Sequence, residues 1–454
     1  MHVNARVKAS TLFLKPVFAE VRRRIANFIV DYMNSTKDHH AKPNPRRIGR
    51  CIVCVALLTW EALCLAEPRS LDEAQFELLA QDCQKLIGRD GMAFFDNVGP
   101  NLYNICGPRP GGPPGGGGTG GGSIGSGAGS VQAQFVTPGW RLAKRRGQNE
   151  AESGAAGDTA EIALANGVNV FFAGQFEAID RQNSRFESGY SGNAQGAAFG
   201  ADWRANDWLL AGTAFNYSYT DSHFANQAGG FQVDSFGPAI YATLTPNENT
   251  FVDLVLEYAH QARARDRLSS FPSLGANKPP VSALLSSDFG ADRYGANALA
   301  GYDFTFGSFV IGPRLGFHYS DMSIDAYSET GNSGLELTFL GDRIRSLQSS
   351  IGLMASAALS SSVGVFSPQI NFDWTHEFQN RQRDIRASFV EDGRDNPTVF
   401  SFNNDRPDRD FFHLGAGVGL TLPNGIQPYV NFDALLGNHW FGHLAGTVGV
   451  RLSL

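Results

Sequence analysis

The residues able to do chemistry in this sequence of 454 residues are few and dispersed. A G-x-S-x-G match sits at Gly121, Ser123 and Gly125. A serine nucleophile in that motif needs a strand before it and a helix after it. Here it lies inside a glycine tract, so the match reads as chance. No G-D-S-L and no H-E-x-x-H motif occurs, which removes two common hydrolase and zinc signatures. The glycines of 107–130 are followed by no Lys-Ser/Thr pair and preceded by no strand, so they do not read as a phosphate loop. His376 and His413 are the histidines to weigh for a barrel-embedded hydrolase, with serines and acids nearby. A triad is defined by geometry, however, and His376 shares its alternation with Trp374 while His413 opens the opposite row. Asn166, before Gly167, reads as a turn. The sequence points to no enzyme, cofactor or metal site.

A different set of charged residues falls on one parity of an alternating pattern. Asp202, Asp253, Glu257, Asp303, Asp373 and Asp433, with Arg314 and Arg451, all stand opposite large apolar neighbours. Side chains of a strand point alternately to its two faces, so these groups share a polar face. The pattern is plainest in the closing stretch G-H-L-A-G-T-V-G-V-R-L-S-L: Leu444, Val448, Val450 and Leu452 lie on one parity, His443, Thr447, Arg451 and Ser453 on the other. It recurs from Gly167 onward. Phe172 and Phe176, Phe199 and Trp203, Phe215 and Tyr217, Leu254 and Leu256, Phe309 to Tyr319, Ile370 to Trp374, and Phe412 to Leu420 are the outward candidates. Ile240, Tyr302, Leu353 and Val430 mark strands that fit less cleanly.

The connections alternate as well. Short turns fall at 205–207, 246–249, 306–308, 360–362 and 423–425; longer polar loops fall at 181–193, 221–230, 266–290, 321–334 and 379–410. That rhythm belongs to an up-and-down membrane barrel, with short turns on the periplasmic rim and long loops outside. A soluble sandwich would lack it, and would leave Trp203, Trp208, Tyr217, Tyr219 and Trp374 unexplained near strand ends. No run of 18 apolar residues exists, so the chain has no helical span. Mean hydropathy is only slightly negative, as expected when every second strand residue is polar. A net charge of -7 gives no support for nucleic-acid binding. The expected fold is all-β: a transmembrane 12-stranded antiparallel up-and-down β-barrel over 167–454, preceded by a small helical N-terminal module and a Gly-rich linker.

The N-terminal third reads as export and tethering. Arg46, Arg47 and Arg50 precede a short apolar run, and Cys64-Leu65-Ala66 offers a small-x-small cleavage site, although Glu61 interrupts the core. Residues 1–66 are therefore expected to be a leader with cleavage after Ala66, started at Met1 or Met33. Cleavage would leave only Cys83 and Cys106, an even count in an oxidising compartment, so a disulfide is expected between them. The module 67–107 has helical periodicity from Ser70, with Glu73 placed for a reciprocal capping box. Residues 108–157 form a Gly-rich and basic linker that includes Lys144, Arg145 and Arg146. Residues 158–166 follow as a short helix, with Asp158 as cap and Glu161 in the capping-box position.

The order of these parts resembles an autotransporter, the type V secretion family. The resemblance covers 160–454 and rests on the Gly-rich linker, the short helix, G-V-N-V-F-F-A-G-Q-F-E (167–177), W-L-L-A-G-T-A-F-N-Y-S-Y (208–219) and the closing G-T-V-G-V-R-L-S-L. Family members commonly end on Phe or Trp, whereas this chain ends on Leu454. The resemblance implies a monomeric outer-membrane anchor whose pore holds the segment leading to an exported passenger; the alternative is a general pore or structural barrel whose N-terminal module stays periplasmic. It also implies outer-membrane lipid, the general secretion translocon and the barrel-assembly machinery as partners. Twelve strands tilted by about 40° enclose a bore of about 12 Å, roughly one helix wide. Residues 158–165 or the basic stretch 141–146 are the expected plug, with the inward acids facing Lys144, Arg145 and Arg146.

Overall fold

The structure, a computed structural model, describes residues 70–77, 79, 101, 102, 168–271, 281–423 and 425–453. The leader, Cys83 and Cys106, the linker with Lys144, Arg145 and Arg146, the segment 158–166 with Asp158, Glu161 and Asn166, and Leu454 lie outside these. The described residues fall within one compact unit.

The strands in chain order begin with β1 (Val168–Arg181), β2 (Tyr190–Asn206), β3 (Leu209–Phe224), β4 (Gly229–Leu244), β5 (Thr250–Phe271) and β6 (Val281–Tyr302). Then come β7 (Phe304–Phe306), β8 (Phe309–Ile324), β9 (Tyr327–Ser328), β10 (Leu337–Phe339), β11 (Asp342–Ala357) and β12 (Leu359–Ser361). The last are β13 (Gly364–Glu377), β14 (Asp384–Phe389), β15 (Phe400–Asn403), β16 (Asp410–Thr421), β17 (Ile426–Leu436) and β18 (Phe441–Ser453). Twelve of these close a ring in sequence order, β1 to β6, then β8, β11, β13, β16, β17 and β18, every pairing antiparallel. The ring shuts where β1 meets β18, from Asn169 opposite Ser453 to Arg181 opposite Phe441. β7 and β12 only prolong two hairpins at the short-turn rim.

The expected parity holds around the ring. Phe172, Phe199, Ile240, Leu256, Phe317, Leu353, Phe372 and Val448 stand exposed on the outside. Phe171, Asp202, Asp253, Thr447 and Arg451 are buried on the inside. Trp203 and Trp208 stand near the short-turn rim. Towards the other rim the outer aromatics hand their polar tips to acids: Tyr217 donates to Asp234 at 2.7 Å, Tyr258 to Asp292 at 2.7 Å, and the Trp374 indole to Asp410 at 3.1 Å. That is the behaviour of an aromatic belt, apolar ring in lipid and polar end in water.

Inside, near the short-turn rim, four aromatics lie over glycines of neighbouring strands. A Cβ at Gly200, Gly212, Gly301 or Gly449 would fall 2.4 Å from Phe171, Tyr241, Phe251 or Tyr429 respectively. Each glycine is thus a socket for a ring, which explains much of the glycine on the inward parity.

The long loops correct the sequence reading. The loop expected at 221–230 shrinks to 225–228, because β3 and β4 continue through it. The loop expected at 266–290 is mostly strand, since β5 and β6 run to Phe271 and from Val281. Beyond the lipid a strand needs no greasy outer face, so the run A-R-A-R-D-R-L looks like a loop while its alternation persists. The loops expected at 321–334 and 379–410 contain β9, β14 and β15, which join β10, just beyond the first of them, in a second sheet of order β15, β14, β10, β9. This sheet caps the long-loop rim.

Candidate functional site: the bore and its cap

Asp202, Asp253, Glu257, Asp373 and Asp433 lie on the inward parity of their strands, and their described partners are wall residues. Near the short-turn rim, Asp202 on β2 accepts from Arg451 on β18 and from Asn169 on the intervening β1, at 2.9 and 3.0 Å. Asp253 accepts from the Thr243 hydroxyl at 2.8 Å. Further up, Glu257 meets the Arg293 guanidinium at 2.8 Å, both side chains almost fully buried. Asp373 accepts from Asn371 at 2.9 Å. Arg314 and Asp373 sit on either side of Gly352, the residue opposite both in register, whose missing side chain lets them approach. Asp433 accepts from Asn431. Asp303 lies beside Gly312 at the short-turn rim, its backbone N–H donating to the Asn249 carbonyl at 2.7 Å.

His413 faces inward opposite Asp373 in register. His376 pairs with Asp410 at 2.9 Å on the outer face, with Trp374 and Phe378 in ring contact. The two histidines therefore lie on opposite sides of the wall and assemble no common site. Among the described residues, no cluster of His, Cys, Asp and Glu is placed to hold a metal ion.

The upper bore is dominated by residues that the sequence reading did not single out. Arg263, Arg265 and Arg267 alternate along the inner face of β5, each buried. Arg265 donates to the Tyr327 hydroxyl at 3.3 Å. Arg267, 0 % exposed, grips both carboxylate oxygens of Glu329 at 2.8 and 2.7 Å. Glu329 belongs to the cap and also accepts from the Leu337 amide at 3.0 Å. Arg181 at the end of β1 is clasped by Glu187 and Asp405.

The N-terminal helix, Leu71–Glu77, sits on this cap. Its capping box forms as the sequence predicts: the Glu73 N–H donates to the Ser70 hydroxyl at 3.2 Å, and the Ser70 N–H to the Glu73 carboxylate at 2.9 Å. Leu71, Ala74 and Leu79 are buried in one apolar cluster with Leu335, Leu337, Phe339 and Phe402 of the cap and with Met322 and Ile324 of the barrel wall. Gln75, 0 % exposed, donates to the Leu335 carbonyl at 2.9 Å and accepts from Arg267 at 3.3 Å. Leu102 joins the cluster, its N–H donating to Glu391 at 2.6 Å. Ser70→Ala is expected to cost this helix about 1 kcal/mol. Hydrogen exchange over 71–77 reads the loss, and an unchanged rate would refute it.

Three carboxyls outside the barrel are held below their usual range. Burial pushes Glu336 up, but the Ser333 amide and hydroxyl and the Gly334 amide outweigh it. Burial likewise raises Asp392, against Arg394 and the Thr398 amide. Glu73 is pushed up by partial burial and drawn down further by Ser70 and Arg185. A depressed carboxylate adds stability that is full above its unfolded pKa and vanishes as pH falls through the folded one. The protection of amides in the cap and helix, relative to their intrinsic exchange rates, is therefore expected to fall below about pH 4. Equal protection at pH 3 and pH 7 would contradict this.

A closed antiparallel ring with an apolar outside, a charged inside and two aromatic belts is an outer-membrane β-barrel. Residues 170–433 match the autotransporter beta-domain family, more than half of the chain, and the protein belongs to that family. The chain is also similar to outer membrane protein A of Rickettsia conorii and of Rickettsia rickettsii. Each is 24% identical over 275 residues, which is 59% of this chain but only 13% and 12% of those proteins. The chain thus spans about an eighth of the length of the curated relatives it matches. In fold it resembles the translocator domain of the autotransporter NalP from Neisseria meningitidis. The TM-score is 0.50 at 14% identity, covering 72% of this chain and all of that one. The β-domain is therefore a translocator barrel of the outer membrane, and the family's barrel is a conduit rather than a catalyst.

Proposed function

We propose that this barrel exports the N-terminal region of its own chain and keeps it at the cell surface. The observation that carries the reading is the contact of Leu71, Gln75 and Leu102 with the cap at the long-loop rim. β1 starts at the opposite rim, so one covalent chain has to join the two ends of the barrel. Backbone cannot cross hydrocarbon unless all its polar groups are paired within the span, which a Gly-rich segment does not achieve. The route left is the bore. Residues 103–167 reach roughly 200 Å when extended, several times the height of a membrane barrel.

The domain layout of this proposal is a leader removed after Ala66 by the general secretion route and an exported module 67–107 stapled by Cys83 and Cys106. The tether 108–157 follows, then a segment 158–166 that lies in the bore with Lys144, Arg145 and Arg146 near the inward acids. Insertion by the barrel-assembly machinery as a monomer in outer-membrane lipid completes it. The exported region is read as a non-enzymatic surface module.

Protease treatment of intact cells tests the proposal. Cleavage within 67–107 without permeabilising the envelope is the expected result. Cleavage only after the outer membrane is opened would leave a pore with a periplasmic module instead.

A further inference from the structure

The inner wall of a membrane barrel is normally polar along its whole height. Here its outer end also carries two apolar patches, beside the buried arginines of β5. Tyr190, Phe224 and Phe231 on one side, and Phe271, Met322 and Ile324 on the other, point inward and are at most 7% exposed. Against the second group lie Leu337, Phe339 and Phe402 of the cap, all fully buried, and the helix residues Leu71 and Ala74. Phe289 of the wall stacks on Tyr327 at 4.0 Å between ring centres, and Tyr327 stacks in turn on Phe339. One buried side chain joins all three layers: Arg267 of the wall holds Glu329 of the cap and Gln75 of the helix.

We propose that the docked helix and the cap form an external seal. It is a collar at the long-loop rim, apolar where the cap packs on the wall, shut by the cap sheet and locked by Arg267 between Glu329 and Gln75, that stops ions passing once the N-terminal region is outside. The proposal rests on the export reading above. Closely packed apolar side chains exclude ions because water withdraws from between them, and Arg265 and Arg267 are held by Tyr327 and Glu329 of the cap. The buried ion pair fixes register. Removing one partner strands a charge, whereas replacing both with apolar groups does not. The lock therefore closes in one arrangement only. Exported chain still in transit would hold the cap away from the collar, and docking of Leu71–Glu77 would close it.

The test uses the purified full-length protein in planar bilayers, with potassium chloride carrying the current. Wild type is expected to stay closed most of the time. Ala74→Asp, which puts a charge into the apolar cluster, and Arg267→Met, which strands the buried Glu329 carboxylate between cap and wall, should each raise mean conductance roughly tenfold. Heat-modifiable migration on gels verifies that each barrel is closed. Should Arg267→Met not fold, Gln75→Ala removes only the helix's share of the lock and gives the same comparison. Folded variants that conduct like wild type would overturn the seal. Protease exposure of 67–107 on cells separates the two readings: exposure with unchanged conductance defeats the seal alone, and protection of the module defeats export and the seal together.

Discussion

Arg451→Met is expected to lower the stability of the barrel by about 3 kcal/mol, because it strands a buried carboxylate. Arg451 lies on the last strand and Asp202 on the second, so their 2.9 Å contact reaches over β1 and clasps the strands that close the ring. Both side chains are almost wholly buried, at 6% and 4% exposure. Without the guanidinium, the partners of Asp202 include Asn169 and a long contact of 3.4 Å from the Tyr241 hydroxyl. Those neutral donors do not compensate a full charge. Adding Asp202→Leu to Arg451→Met should recover most of the loss, since an apolar pair avoids the desolvation of both ions. Urea unfolding in detergent micelles reads both variants. A single variant within about 0.5 kcal/mol of wild type would show that the clasp contributes nothing.

The second large effect lies on the other face. Leu256 sits on the outward parity of β5, is 54% exposed, and pairs across with the outward Ile240 of β4. In a membrane this exposure is to hydrocarbon. Leu256→Arg is expected to cost about 2–4 kcal/mol, the range for arginine at the bilayer midplane. The same charge at Leu209, the first residue of β3, lies near the interface and should cost only about 0–1 kcal/mol. Folding titrations into liposomes measure the two. Equal costs at both depths would mean that this face does not look into lipid.

How far the sequence was legible follows from which forces act locally. Inside the membrane the two faces of a strand meet opposite solvents, so parity alone located Phe172, Leu254, Phe317 and Trp374 on the outside and Asp202, Asp253 and Glu257 within. Ser70 and Glu73 were equally legible, because a capping box depends on residues three apart. Above the membrane that rule lapses. There β5 and β6 carry Arg263, Arg265, Asp266 and Arg267, and the alternation hides in charge. The cap was missed for a related reason. Leu335, Leu337 and Phe339, and Phe400 with Phe402, do alternate, but β10 and β15 have only three and four residues. Such pieces are stable only against partners distant in the sequence. Arg267 and Glu329 lie 62 residues apart, and Arg267 and Gln75 lie 192 apart. Nothing near any of the three residues announces the others.

The neighbours at the closure, β1 and β18, are also the most widely separated strands of the ring in the sequence. Contacts of that span are the slowest to form, and until they do the sheet presents two unpaired edges that invite aggregation. Deleting residues from the end of β18 removes pairs from this junction first, beginning at Asn169 with Ser453. The geometry therefore makes closure all-or-none: neither edge is hidden until β1 and β18 have found each other across the full length of the domain.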